Sequence, residues 1–128
     1  MTTFAGHLFA TLCLGTIFFH VALIAGLPLG AYTQGGRHRG ALPPSGRAGA
    51  ALAIFVTGFM GLAILSAAGF AGGFWPRWTG WAALVTMMAS AALNLISPSA
   101  EERAVWGPVT VVMAGLAGYV MVVGAGHA

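Results

Sequence analysis

The most constraining feature of this sequence is a set of four long segments that contain no Asp, Glu, Lys or Arg. They cover residues 4–32, 48–74, 78–96 and 105–123. A helix needs roughly 20 apolar residues to cross a bilayer. Only 5% of the 128 residues are charged, against about a quarter in ordinary globular domains, so the chain cannot cover a water-facing surface. The pattern predicts an all-α fold in which residues 1–128 form one antiparallel bundle of four transmembrane helices.

The third break between segments holds both acidic residues. Ser99 and Glu102 are spaced as in a capping box, with the hydroxyl bonding forward and the carboxylate bonding back at the start of a helix. We therefore expect Glu101 and Glu102 to lie in the third loop, outside the hydrocarbon. Proton-coupled exporters depend on a carboxylate within the membrane, so this placement argues against proton-driven antiport.

The five basic residues, all arginine, are divided unequally between the loops. Arg37, Arg39 and Arg47 lie in the first loop and Arg103 in the third, whereas Arg77 is in the second. Because basic residues accumulate on the cytoplasmic side, loops one and three are predicted to be cytoplasmic and both termini to lie outside, in the periplasm.

A second role is predicted for the basic side chains of the first loop. Arg37, His38, Arg39 and Arg47 follow or interrupt a glycine-rich stretch close to the membrane surface. Such clusters bind anionic lipid headgroups, so membrane lipids are expected partners at these four positions. Specific phosphate recognition is the alternative.

The third segment carries a polar stripe. Thr86, Ser90 and Asn94 are spaced by four residues and share one helix face. Unsatisfied hydroxyl and amide groups are costly in hydrocarbon, so this face is predicted to turn inward and to form hydrogen bonds between helices. The alternative is that the stripe lines a solute path.

The first segment has two different faces. Cys13, Thr16 and His20 share one face by helical spacing, and the small residues Ala22 and Gly26 lie on the other side. If the small residues pack on the other helices, the polar face is expected to meet a partner subunit, a second copy of the chain or a bound ligand.

His20 is an ionisable residue near the middle of a predicted span, which makes it a candidate functional residue. One interpretation is a neutral imidazole that is hydrogen-bonded to Thr86 or Ser90. The other is an axial ligand, since imidazole binds the iron of haem and other metals. A five-coordinate metal needs only one histidine, so a chlorophyll-type pigment or a single-ligand haem is the cofactor expected in that case.

Other kinds of chemistry lack the residues that they need. The sequence has no His-Glu metal motif, no nucleophile paired with a base, and no phosphate-binding loop with a lysine. It also lacks the charge density of a nucleic-acid binder. We therefore predict neither an enzyme nor a nucleic-acid partner.

The third loop carries a distinctive motif. Residues 94–109 read NLISPSAEERAVWGPV, and in the first loop residues 35–40 read GGRHRG before Leu42, Pro43 and Pro44. The chain resembles a family of short bacterial four-span membrane proteins of unassigned function. The resemblance implies the four-helix fold and a bacterial inner-membrane location, and no activity. From the residues themselves, Glu102 and Arg103 are expected to brace loop three against loop one.

Three functions are consistent with these patterns. The first is a non-catalytic accessory or assembly subunit of a larger bacterial membrane complex, respiratory or photosynthetic, that binds larger subunits or itself through span one. The second is a pigment- or haem-binding protein that uses His20. The third is a small oligomeric channel or transporter that is lined by Thr86, Ser90 and Asn94.

Overall fold

The computed structural model describes residues 1–70 and 73–124. In these ranges the chain is all-helical, as predicted. Four α-helices follow one another, with two short 3-10 turns, Gly30–Tyr32 and Gln34–Gly36, between the first pair: α1 Thr2–Ile24, α2 Pro44–Ala67, α3 Arg77–Leu95 and α4 Ala100–Val123.

The four helices form a closed antiparallel bundle. Each helix packs against the next, and α4 packs against α1. One end of the bundle, the loop end, carries the connections 25–43 and 96–99. The other, the terminal end, carries Met1, residues 68–70 and 73–76, and Gly124. Arg77 ties this end together, because its Nη2 donates to the Met121 carbonyl near the end of α4 at 2.9 Å.

Three of the helices, α1, α2 and α4, are long and apolar enough to cross a membrane by length and composition. The 19-residue α3 is not among them. Its polar stripe, Thr86, Ser90 and Asn94, lowers its hydropathy below that of the other helices. The indication of membrane insertion therefore comes from α1, α2 and α4, of which α2 and α4 pack against α3.

The helices begin and end at different residues from the predicted spans. The first was expected to reach residue 32, but α1 ends at Ile24, where Gly26 has a positive φ of 97° and Pro28 follows. Glycine tolerates that conformation and proline has no amide hydrogen to continue the helix. α2 begins at Pro44 and ends at Ala67, earlier at both ends than the predicted 48–74. The predicted second span includes residues 71 and 72, which lie outside the described residues. The predicted location of the C-terminus concerns residues 125–128, which also lie outside them.

α4 begins earlier than predicted, and this changes the position of both acids. The Ser99 side chain accepts from the Glu102 amide and caps a helix that starts at Ala100. Glu101 and Glu102 are therefore in the first turn of α4, and the expectation that they lie in a loop is wrong. The cap satisfies one of the four otherwise unpaired amide groups at this end and so favours a helix that begins before the charged residues.

In the described part of the chain, the larger of two buried hydrophobic clusters lies toward the terminal end, and a smaller one, Leu23, Leu42 and Ala50, lies at the loop end. The largest fully buried side chains of the larger cluster are Phe9, Ile64, Met113, Val120 and Met121. Glycines let the helices approach closely: a Cβ added to Gly6 would lie 2.5 Å from the Ala68 Cβ, and one added to Gly80 would lie 2.5 Å from the Met121 sulfur. We call the region of the larger cluster the dry core.

Candidate functional site

Toward the loop end the four helices separate around a cavity of about 200 Å³, which we call the polar cavity. Every helix contributes at least one polar side chain to its wall, and the 25–43 connection contributes Tyr32 and Thr33. The polar side chains from the helices are Thr16 and His20 (α1), Thr57 (α2), Thr86, Ser90 and Asn94 (α3), and Glu102 and Thr110 (α4).

The polar cavity ends at three methionines. Met60, Met87 and Met113 line it and are at most 4% exposed, and all three also belong to the dry core. These side chains separate the cavity from the terminal end of the bundle. The cavity is therefore closed on that side in this conformation.

On the loop-end side, a wide groove of about 900 Å³ adjoins the cavity. We call it the entrance groove. Ser90, Asn94 and Glu102 line both spaces, so they stand where the groove meets the cavity. The remaining wall of the groove comes from the two loop-end connections and the end of α3: Gln34, Gly35, Arg37, Leu93, Ile96, Ser97 and Pro98.

The polar face of α1 points into its own bundle. Cys13 is 2% exposed and lies beside Gly61, whereas Thr16 and His20 line the polar cavity. The expectation that this face turns away from the bundle toward a partner is therefore wrong. The outward face of α1 is apolar, with Leu14 and Phe18 exposed, which is the arrangement that lipid favours.

His20 is held by its own helix. Its Nδ1 lies 2.8 Å from the Thr16 carbonyl oxygen, and its ring packs edge-on against Phe19 with centroids 5.4 Å apart. A carbonyl oxygen can only accept, so Nδ1 is the donor and Nε2 of the neutral ring is an acceptor. The hydrogen bond expected from His20 to Thr86 or Ser90 does not form.

The three residues of the α3 stripe have different roles. Asn94 Nδ2 donates to Thr110 Oγ1 of α4 at 3.3 Å, which joins two helices. Thr86 instead donates to the Ala82 carbonyl of its own helix at 2.8 Å. Ser90 is half-buried and lines both the cavity and the groove. The stripe is thus mainly a cavity wall, with one bond between helices.

Glu102 is buried at the inner end of the groove, with 8% of its surface exposed. Its Oε1 accepts from the Gly35 amide at 3.3 Å and from the Ser97 hydroxyl. The carboxylate thus contacts loop one and loop three, and it does not bond back to the Ser99 amide as a capping box requires. Its Oε2 has no hydrogen-bond partner among residues 1–70 and 73–124.

The loop-one and loop-three connections fit closely around this carboxylate. Ser99 donates to the Ala31 carbonyl, and a Cβ added to Gly36 would lie 2.8 Å from the Ser99 Cβ. Arg103 donates to the Ser97 carbonyl within loop three. The groove therefore has a fixed inner wall.

The prediction that Arg47 and Arg103 lie in loops is wrong, because they lie in the first turns of α2 and α4. The four basic residues expected to bind headgroups occupy two environments. Arg37, His38 and Arg39 are exposed, with Arg37 on the groove and Arg39 paired with Glu101 at 2.5 Å. Arg47 is half-buried, and its guanidinium donates to the Leu42 carbonyl at 2.9 Å and to the Ile24 carbonyl at 3.4 Å. A cation at the last carbonyls of α1 is favourable for the helix dipole, so Arg47 has a structural role whether or not it binds lipid.

Several cavity residues were not identified from the sequence. Thr57 and Thr110 are isolated hydroxyls in apolar helices, and both are buried against the cavity. A search for hydroxyls near the middle of each predicted span would have found them together with Thr16, Thr86 and Ser90. The described residues contain no group of three or more His, Cys, Asp or Glu side chains placed to hold a metal ion.

Comparison of the chain with known protein families, with curated proteins and with solved structures gives no match. The resemblance to short bacterial four-span proteins therefore stays a prediction.

Proposed function

We propose that this chain is a non-catalytic, multi-pass membrane protein that binds a small polar solute in the polar cavity. The observation that carries the proposal is the convergence of a polar side chain from each of the four helices on one cavity, whose wall shares Ser90, Asn94 and Glu102 with the entrance groove. In membrane helices such groups are usually satisfied by neighbouring helices. Here several of them line a space instead, where a solute can form additional hydrogen bonds with their oxygen and nitrogen atoms.

The volume of the cavity limits the size of the solute. At about 200 Å³ it is smaller than the roughly 300–1,000 Å³ of pockets for drug-sized ligands. A tetrapyrrole ring does not fit in this space, which argues against the pigment or haem alternative at His20. The solute has only a few heavy atoms inside the cavity, although a longer molecule can extend into the groove.

The cavity meets one requirement of the channel or transporter alternative and not another. Its wall includes Thr86, Ser90 and Asn94, as that alternative requires, but Met60 and Met113 close its inner end. Binding is supported by this geometry, whereas conduction needs a second conformation in which the methionines separate. The proposed function is therefore binding of the solute and does not include its transport.

We propose a bacterial inner membrane as the location, with the loop end in the cytoplasm. Arg37, Arg39, Arg47 and Arg103 are at the loop end, and Arg77 is at the terminal end, which is the distribution that the positive-inside rule associates with this orientation. α3 then crosses the membrane between its apolar neighbours, since its 19 residues extend about 28 Å. The groove opens toward the cytoplasm.

An accessory subunit of a larger membrane complex is the second candidate function. It is favoured by two exposed glycines on the outside of the bundle, Gly15 of α1 and Gly115 of α4, where an added Cβ would meet nothing within 4 Å. Small residues let a neighbouring helix approach closely in lipid. Gentle purification of the tagged chain from its native membrane tests this candidate: subunits in fixed proportion support it, and a chain that purifies alone removes it.

Solute binding is tested by thermal unfolding in maltoside micelles with glycerol, urea, acetate or choline. A solute that binds only the folded chain raises the melting temperature as its concentration rises. The Ser90→Leu variant fills the cavity, and Ala89→Leu adds a similar side chain at an exposed position one residue earlier. We expect at least one solute to stabilise the native chain and Ala89→Leu, but not Ser90→Leu.

General solvent effects of these solutes act on all three proteins alike. A shift of equal size in the native chain and in Ser90→Leu therefore counts against binding in the cavity. If no solute stabilises the native chain more than the cavity-filled variant, the proposed function is wrong.

A further inference from the structure

We propose that the solute is a small organic ammonium ion whose positive charge is held by the Glu102 carboxylate at the junction of the groove and the polar cavity. This inference rests on the proposed function, and it assigns the chemical class of the ligand. The charge of the site and its aromatic lining each support it.

The charge of Glu102 has no cationic side-chain partner among residues 1–70 and 73–124, since the ion pair found there joins Arg39 to Glu101. Glu102 is nevertheless 8% exposed and lies at the inner end of a groove. Its Oε1 accepts two hydrogen bonds, and the first turn of α4 favours a negative charge. No side-chain oxygen among the described residues is both buried and without a partner, so Oε2 is accessible and is the atom open to a ligand cation.

Within residues 1–70 and 73–124, Glu102 is the one charged side chain that lines the polar cavity, so the cavity carries negative charge and favours a cation. Among the described residues, no arginine lines the polar cavity, and Arg37 reaches only the groove. Hydroxyl oxygens, the Asn94 amide and Nε2 of His20 offer acceptors. An anionic solute would face the Glu102 charge with no basic group to offset it.

Three aromatic side chains, Phe19, Tyr32 and Trp106, line the same cavity. Phe19 and Trp106 come from α1 and α4, and their ring centroids are 4.9 Å apart, so the two rings pack on each other and do not enclose a site between them. The faces of such rings attract cations, and groups of them recognise alkylated ammonium ions. A carboxylate beside aromatic rings is suited to an ammonium ion with attached methyl or methylene groups, because a bare metal ion needs more oxygen ligands.

Choline and its uncharged carbon isostere, 3,3-dimethylbutan-1-ol, form a matched pair of probes, because they have nearly the same shape and differ in charge. Binding of each to the full chain in maltoside micelles is measured by titration calorimetry at constant ionic strength. We expect choline to bind at least about tenfold more tightly than the isostere in the native chain. In Glu102→Gln the two are expected to bind within about twofold of each other.

The isostere also reports folding, since its binding needs the cavity but not the charge. Glu101→Gln is the matched control, because it removes the neighbouring carboxylate, which faces Arg39. It is expected to keep the preference for choline. A preference that persists in Glu102→Gln overturns the assignment of Glu102.

The binding results distinguish the ammonium class of the ligand from solute binding itself. Equal binding of the two probes to the native chain, or tighter binding of the isostere, overturns the ammonium class and leaves solute binding in place. If neither probe binds while another solute stabilises the native chain and not Ser90→Leu, the ammonium class alone is wrong. If no solute acts through the cavity, both proposals are wrong.

Discussion

The two halves of this bundle use the same four helices in different ways. In the dry core, Phe9, Ile64 and Met121 have no exposed surface, and Gly6 and Gly80 bring helices into direct contact. In the loop-end half, the helices surround a polar cavity of about 200 Å³. The same helices can therefore close completely or remain apart, depending on which side chains face inward.

The difference follows from the chemistry of the inward-facing side chains. Methionine is flexible and fills irregular gaps, so Met60, Met87, Met113 and Met121 can close the dry core. Threonine and serine are short and need a hydrogen-bond partner, so they neither fill space nor tolerate apolar neighbours well. A packed half thus holds the helices together, while an open half is available for a ligand.

The largest effect is expected from a large-to-small change in the dry core. Met121→Ala removes a side chain with no exposed surface and leaves a void beside Gly80. We expect the free energy of unfolding to fall by about 2–5 kcal/mol. Denaturant titration in detergent measures this change.

Met88→Ala is the matched control, because Met88 is 57% exposed on the outside of α3. A loss of stability in Met88→Ala as large as that in Met121→Ala would show that the dry core is not the more closely packed region.

The next largest loss of stability is expected from a side chain that overfills the dry core. In Gly6→Val, the new Cβ meets the Ala68 Cβ at 2.5 Å, a contact that only a backbone shift relieves. The expected loss is about 1–3 kcal/mol. Gly15→Val, on the same helix with nothing within 4 Å, is expected to leave the melting temperature nearly unchanged. Comparable melting temperatures for the two variants would contradict the close α1–α2 contact.

The architecture was predictable from the sequence to a greater extent than the site. Apolar segments without charges predict a helical bundle, because burial in lipid depends on composition and length alone. Helix ends were less accurate: the chain leaves α1 at Ile24 through Gly26 and Pro28, although the apolar residues continue. Hydropathy does not report where backbone geometry ends a helix.

The site depends on which residues meet across helices, and a single sequence does not contain that information. Thr86, Ser90 and Asn94 were identified by their spacing, but Thr57 and Thr110 are isolated in their helices. Glu102 was interpreted as part of a cap, since the spacing from Ser99 fits. Its carboxylate instead bonds to Gly35, which is 67 residues away in the chain.

A smaller effect is expected at the loop end, where the entrance groove is built. Gly36 has a φ of 71° and faces Ser99, so Gly36→Ala introduces both backbone strain and a contact of 2.8 Å. We expect a loss of about 1–2 kcal/mol together with faster amide exchange in residues 30–36. Gly40→Ala, with nothing within 4 Å, serves as the control. Equal protection of residues 30–36 in both variants would show that this contact does not hold the connection.

The smallest effect distinguishes the two roles within the α3 stripe. Asn94→Ala removes a hydrogen bond to Thr110, and such bonds between membrane helices contribute about 0.6 kcal/mol on average. Ser90→Ala removes a hydroxyl that faces the cavity, so its stability is expected to match that of the native chain. Denaturant titration compares them, and a larger loss in Ser90→Ala would mean that the stripe joins helices at Ser90 as well.

The central claim is that one half of the bundle is open to water while the other is dry, and thiol accessibility tests it most directly. In a Cys13→Ala chain in vesicles, Ser90→Cys places a thiol on the cavity, and Ala83→Cys places one on the same helix in the dry core, at a position with no exposed surface. A charged thiol reagent applied from the loop-end side is predicted to label Ser90→Cys and to leave Ala83→Cys unlabelled. An unlabelled Ser90→Cys, or equal labelling of the two variants, would contradict the account.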